Sequence, residues 1–289
     1  MMKIRVLFNK LFVGGQWYVG YRDYKLNNKR EYSIVSVPDD QWVADPFLYE
    51  FEGKHYLFVE QYFKEKHRAG IGVFEIIDGE PVNNRIIIEN DYHMSYPCVF
   101  YHKGKHYMIP ESSANNTIDL YLADEFPYLW SHKAILLEGE KYVDSTVYQS
   151  GDNIYLLSYT TVQSGWSLVV FQLDLDTFSL VKLTEKIYSK NVGRPAGFLY
   201  REDMLLRPSQ DCSQKYGEAL ILNEIDELNN NSFQEHPVSG INYKDITSPL
   251  KIERVHTINR DSKYEVVDLF KEKLELLHAF RIIKRKYNL

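Results

Sequence analysis

Five times along the chain, a polar opening is followed by an apolar run, a Gly- or Asp-containing turn and a second apolar run. The pattern reads ADPFLYEFEGKHYLFVEQ from Ala44, SYPCVFYHKGKHYMIPES from Ser95 and VDSTVYQSGDNIYLLSYT from Val143. Looser copies are GRPAGFLYREDMLLRPSQ from Gly193 and VHTINRDSKYEVVDLF from Val255. The first two superpose without a gap, with Asp45 on Tyr96, Gly53 on Gly104, Tyr56 on Tyr107 and Glu60 on Glu111. Two short apolar runs around a tight turn are the two strands of a β-hairpin. The leading residues Asp45, Tyr96, Asp144, Arg194 and His256 follow one another at spacings of 51, 48, 50 and 62 residues. Further strand-like runs between the first hairpins (71–77, 85–89, 118–122, 133–138, 167–173 and 180–183) supply outer strands. Five four-stranded antiparallel units predict an all-β, five-bladed β-propeller, whose radial closure leaves no long exposed edge.

The fifth repeat runs out of chain before four strands are complete. Residues 16–22 read as a strand, and pairing of 17–21 beside 264–267 would close the ring from both ends of one domain spanning 1–289. Beyond it, Leu269, Leu276, Phe280 and Ile283 recur at helical spacing, which predicts an amphipathic helix over about 270–286. Its basic residues Arg281, Lys284, Arg285 and Lys286 complement the C-terminal end of a helix dipole, and they also suit peripheral contact with an anionic membrane.

A content of 44% hydrophobic and 26% charged residues over 289 residues can bury the core of one large β domain. The 23 tyrosines fit a strand-rich core, and they also fit sugar sites, where an apolar ring with a hydrogen-bonding tip is useful. A net charge of −6 argues against nucleic acid as a partner, because no domain-wide basic field exists to attract phosphates. Cys98 and Cys212 make neither a disulfide framework nor a metal motif. Without a signal-peptide pattern or an apolar stretch of about 18 residues, the expected location is cytoplasmic, peripheral to the inner face of the membrane. The spacing motifs of nucleotide, zinc-protease and serine-hydrolase sites are absent, and His55, His93 and His106 lack paired spacing, so neither cofactor nor metal is expected.

In a propeller the innermost strands begin around the mouth of the axial channel. The leading residues Asp45, Tyr96, Asp144, Arg194 and His256 are therefore expected to converge there. The second hairpin strands return to the same face and add Glu60 and Glu111, with Tyr159, Arg207, Gln210 and Asp268 behind them. Glu218 sits where an outer strand begins. Asp45, Asp144, Glu111 and Glu60 are the candidate acid–base residues, because glycosidic chemistry needs carboxyl groups with pKa values pushed apart. Tyr96, Arg194, His256, Glu218, Tyr159 and Arg207 are the candidate substrate-binding residues.

The opening Ala44-Asp45-Pro46-Phe47, followed by an aromatic hairpin, resembles the first-blade signature of the five-bladed glycoside hydrolases of family 43 and the invertase-like enzymes. The ordered series ADPF, YPCVF with PES, DSTVY, GRPAG, YGEA and HTINR with VVD resembles the N-terminal propeller domain of glucosamine inositolphosphorylceramide transferases, over about 17–268. The hydrolase resemblance implies a general base or nucleophile at Asp45. It places the third-blade acid on Asp144, a shorter carboxylate, and leaves Tyr96 where a second-blade aspartate is expected. The resemblance as a whole implies a glycan or glycosylated lipid as substrate, in surface-polysaccharide or glycolipid biosynthesis, and a partner glycosyltransferase. Three functions stay open: a glycosidase or glycosyl-transfer enzyme, a non-catalytic glycan-binding accessory module, and a protein-interaction propeller.

Overall fold

The computed structural model describes residues 13–26 and 29–274. Its strands are β1 (Val13–Asp23) and β2 (Ser33–Ile34), then β3 (Gln41–Phe51), β4 (Lys54–Phe63), β5 (Arg68–Ile77) and β6 (Glu80–Ile88). The second blade holds β7 (Ser95–His102), β8 (Lys105–Ser112), β9 (Thr117–Glu125) and β10 (Leu129–Glu138). The third holds β11 (Val143–Ser150), β12 (Asn153–Val162), β13 (Gly165–Asp174) and β14 (Ser179–Tyr188). The fourth holds β15 (Arg194–Pro195), β16 (Tyr200–Arg201), β17 (Leu205–Asp211), β18 (Ala219–Leu228) and β19 (Phe233–Asn242). Last come β20 (Ile258–Arg260) and β21 (Tyr264–Leu274). All five sheets are antiparallel, and in the first three blades neighbours in sequence are neighbours in the sheet. This is the five-bladed propeller that the repeat predicts.

The fifth sheet runs β2-β1-β21-β20, so both ends of the described chain meet in one blade. β1 pairs with β21 from Val13 opposite Leu274 to Asp23 opposite Tyr264. The closure is longer than expected: 264–267 face Asp23 to Gly20, and Trp17 lies opposite Phe270. The C-terminal helix is corrected in the same place. Phe270–Leu274, expected to open it, are the end of β21, and no α-helix occurs among the described residues. Val266, Val267 and Leu269 are all buried, so this strand lacks the alternation that separates strand from helix by pattern. The remainder of that expected helix, with its basic residues, lies outside the described residues. No described helix is long and apolar enough to cross a membrane.

The apolar core lies in the seams between blades. Phe47, Phe58, Met108, Ile109, Leu120 and Leu156 fill the space shared by blades one to three. Val19, Leu48, Leu57 and Val266 join blade five to blade one. Blades four and five share Leu220, Ile258 and Leu269, while Tyr155, Leu157, Leu168 and Val170 line the third-to-fourth seam. In blade four the inner strand is broken into β15 and β16 around Gly197, whose φ of +135° and close approach to the Ile258 carbonyl exclude a side chain.

Candidate functional site

The same backbone irregularity opens the inner strand of blades one, two and three. Ala44 pairs with Glu60 and Phe47 with Phe58; Ser95 pairs with Glu111 and Cys98 with Ile109; Val143 pairs with Tyr159 and Thr146 with Leu157. Each inner strand therefore carries one extra residue, a β-bulge. The residue after the first pair is left-handed each time: Asp45 at φ +45°, Tyr96 at +48° and Asp144 at +51°. Asp tolerates this conformation better than most residues, whereas Tyr does not, so three such positions in a row mark deliberate local strain. The bulge kinks each strand and re-aims these side chains.

Around the axis the result is a chain of interblade contacts. Arg194 grips Asp144 with two nitrogens, one of them 3.1 Å from Oδ1, and its Nη2 lies 3.5 Å from Glu111 Oε2. Asp144 also accepts from Gln210 Nε2 at 2.7 Å. Glu111 accepts from the Asp144 amide at 3.2 Å and from the Ser113 hydroxyl at 2.7 Å. At the seam between blades five and one, Asp268 repeats the device. Its Oδ1 accepts the amides of His256 and Thr257, both at 2.9 Å, and its Oδ2 accepts that of Asp45 at 3.4 Å. The Thr257 hydroxyl donates to Asp45 at 3.1 Å. Glu60 meets His93, whose Nδ1 accepts the Ala69 amide at 3.2 Å; the ring proton must then sit on Nε2, 3.2 Å from the Glu60 carboxylate.

These carboxyl groups act on one another. Burial, then the charges of Glu60, Asp144, Asp268 and Glu111, push the Asp45 carboxyl well above the usual carboxylate range. Burial and then the charge of Asp144 raise Glu111 to about 7, against the pull of Arg194. One carboxyl held well above its usual range and a second raised to about 7, beside Asp144 in the grip of Arg194, form an arrangement able to give and take protons. Asp45, His256 and Asp268 each offer one donor atom within 4.8 Å of the others. His256 Nδ1 lies 2.5 Å from Asp268 Oδ2, and this buried nitrogen makes no hydrogen bond among the described residues. Such an oxygen and nitrogen set could hold a divalent cation. Sequence spacing could not show it, because only the closed ring brings the three together.

Of the residues expected at the axis, Asp45, Glu60, Glu111, Asp144, Arg194 and His256 are brought together. Tyr96 lies beneath them, fully buried, its hydroxyl accepting the Gly197 amide at 2.6 Å and bonded to Thr146 at 2.9 Å. It forms the floor and offers a ligand nothing. Tyr159 is buried with its hydroxyl on Asn191 at 3.0 Å. Arg207, expected at the mouth, is instead locked in the third-to-fourth seam by two 2.7 Å contacts to Glu235. Gln210, which pairs with Arg194, is the residue of this strand that reaches Asp144; Arg207, an odd number of residues earlier, faces the other side of the sheet. Glu218 leaves a buried carboxylate oxygen without a hydrogen-bond partner among the described residues. Cys98 and Cys212 are free thiols.

Sequence reasoning missed two aromatic residues. Trp17, from the closing strand β1, stacks on His256 with ring centroids 4.1 Å apart and planes at 25°. Tyr216 meets the His256 ring at 5.1 Å, the Trp17 ring at 6.3 Å and the Arg194 guanidinium at 5.3 Å. The destination of Trp17 depends on the ring closing, which no local pattern encodes.

The family profile described as glucosamine inositolphosphorylceramide transferase 1, N-terminal, matches residues 31–272. The chain belongs to this family. A glucosamine inositolphosphorylceramide transferase 1 of Arabidopsis thaliana is 31% identical over 209 residues, covering 67% of this chain and 27% of the relative. The protein of the same name from Oryza sativa subsp. japonica is 28% identical over 212 residues, covering 68% and 28%. The chain thus spans little more than a quarter of the relatives it matches. Among solved structures, the catalytic domain of the Coprinopsis cinerea GH62 α-L-arabinofuranosidase superposes with a TM-score of 0.60 at 11% identity, covering 83% of this chain and 96% of that one. The RS223 β-xylosidase superposes at 0.59 with 13% identity, covering 82% and 93%. At these identities the likeness is one of fold.

Proposed function

We propose that this propeller is a carbohydrate-active domain that acts on a glycan or glycosylated lipid in surface-polysaccharide or glycolipid assembly, with Asp45 as its proton-carrying group. One observation carries the reading. A strained bulge delivers Asp45 to the axis, where burial and then Glu60, Asp144, Asp268 and Glu111 favour its protonated form. A protonated carboxyl donates to a glycosidic or hydroxyl oxygen, and Glu111, raised to about 7, is the second group able to exchange a proton. Membership of a family named for sugar transfer to an inositolphosphorylceramide supports the glycosylated-lipid class. A companion glycosyltransferase and action at the inner membrane face belong to the same proposal.

A second reading, a non-catalytic glycan-binding accessory module, is favoured by the state of Asp144. Both its oxygens are occupied by Arg194, and one also by Gln210, which suits a rigid binding wall better than a reacting acid. One experiment separates the two. Purified protein and its Asp45→Asn variant are screened on a glycan array and for cleavage or transfer on the glycans bound. Asn keeps the left-handed backbone and hydrogen-bonding capacity, so folding and most affinity should survive. Loss of turnover with retained binding supports the enzyme, whereas binding without turnover in both proteins supports the module. Absence of binding in the unmodified protein refutes both.

A further inference from the structure

The loop between β17 and β18 lies over the axial mouth, and it is held there. Gly217, at φ +64°, passes so close to the His256 side chain and the Trp17 ring that an added Cβ would meet His256 Cβ at 2.9 Å and the indole at 3.0 Å. Its amide donates to Cys212 Sγ at 3.3 Å, and Arg254 Nη1 donates to the Tyr216 carbonyl at 3.3 Å. This bracing fixes the ring of Tyr216 while leaving the residue 45% exposed. Among the described residues, the other exposed large apolar side chains lie on outer strands, at hairpin turns or in the loop after β1, as Val82, Leu129, Val181 and Met204 do. Tyr216 alone joins exposure to ring contacts with the axial cluster.

An aromatic face left exposed beside a polar cluster forgoes burial, so a rigid one needs a reason. Its edge-on contacts with Trp17 and His256 set the ring's tilt, so that its hydroxyl end is buried, which raises its pKa well above the usual phenol range, and the charges of Arg194, Asp45, Asp144 and Glu111 act on it there. Acidic groups below and an exposed ring above match the two sides of a pyranose, polar at its hydroxyl rim and apolar across its C–H face. We propose that Tyr216 is the stacking residue of the axial pocket, receiving the C–H face of a pyranose whose hydroxyls reach the carboxyl groups and Arg194. This rests on the carbohydrate reading above and extends it to a residue and a ring type.

The test is calorimetric titration with tetrasaccharides of the gluco, manno and N-acetylglucosamine series, using the unmodified protein and its Tyr216→Phe, Tyr216→Leu and Tyr216→Ala variants. Tyr216→Phe should bind within about threefold of the unmodified protein, while Tyr216→Leu and Tyr216→Ala should lose roughly tenfold or more, the loss expected for one stacked ring. Tyr216→Leu still covers Arg194, so it keeps any purely shielding role, and its melting temperature verifies the fold should the alanine variant not fold. Equal binding by the leucine and unmodified proteins would overturn the proposal while leaving the carbohydrate reading intact. If the unmodified protein binds none of the three series, both fall.

Discussion

Replacing Arg207 with methionine tests whether this arginine is structural, as its surroundings imply. The side chains of Arg207 and Glu235 are each 1% exposed, and two 2.7 Å contacts join them. The guanidinium also donates to the Gly193 carbonyl at 3.2 Å and lies 3.4 Å from the Tyr188 hydroxyl. Removing one member of a buried pair leaves the other charged and uncompensated, at a cost of about 3–5 kcal/mol. Here Glu235 would keep the Tyr188 hydroxyl at 2.5 Å and a half-buried Lys186 at 3.5 Å, which points to the lower end, about 3 kcal/mol. For a domain of this size that is a fall in melting temperature of about 6–12 °C. The double variant Arg207→Met with Glu235→Leu removes both charges and should recover most of the loss. Burial raises the Glu235 pKa, but Arg207 outweighs it and holds it below the usual range. The pair's contribution is therefore present above the unfolded carboxylate value and lost as pH falls through the lowered folded one. Differential scanning calorimetry across pH is the assay. An Arg207→Met protein melting within about 2 °C of the unmodified chain would refute the reasoning.

Three further outcomes follow from the axial cluster. Asp45→Asn should melt higher than the unmodified protein, with the gap widening as pH rises: a raised carboxyl pKa leaves stability intact below its unfolded value and takes it away as pH climbs through the folded one. A gap that is flat or shrinks with pH, in the same calorimetric series, would contradict the crowding of carboxylates around Asp45. Any turnover that uses the Glu111 proton should decline with an apparent pKa of about 7, and Glu111→Gln should abolish that inflection in the pH–rate profile. Gly217→Ala should push the Tyr216 loop off the His256 and Trp17 rings and weaken glycan binding, seen by titration alongside a modest drop in melting temperature.

The ring and the convergence of its leading residues were legible because both follow from a repeat, and a repeat is read by counting. Asp45 and Asp144 sit at matching points of matching hairpins, so their meeting needs only the fold. What the chain did not disclose depends on conformation that its residues do not advertise. Nothing in Ala-Asp-Pro or Ser-Tyr-Pro announces a left-handed bulge, since glycine, its usual sign, is absent at Asp45, Tyr96 and Asp144. Tyr96 looked like a ligand contact, but its hydroxyl is consumed by Gly197 on a distant blade. Arg207 was misassigned by three residues in a strand whose register Gln210 sets. The stretch after Asp268 carried helical spacing, yet its first residues serve as strand because β1 supplies partners from the opposite end of the sequence.

That pairing has a consequence in time. The clamp of Arg22 on Glu265 joins residues 243 apart in sequence, and Trp17 reaches His256 across a similar interval. During synthesis, blades one to four can emerge and fold in turn while the pocket still lacks His256, Asp268 and the indole that covers them. Only when β21 leaves the ribosome and zips against a strand made long before does the last wall arrive. A chain stalled before that moment has most of its sheets and an open ring. Synthesis of β21 is thus the step that completes the axial cluster.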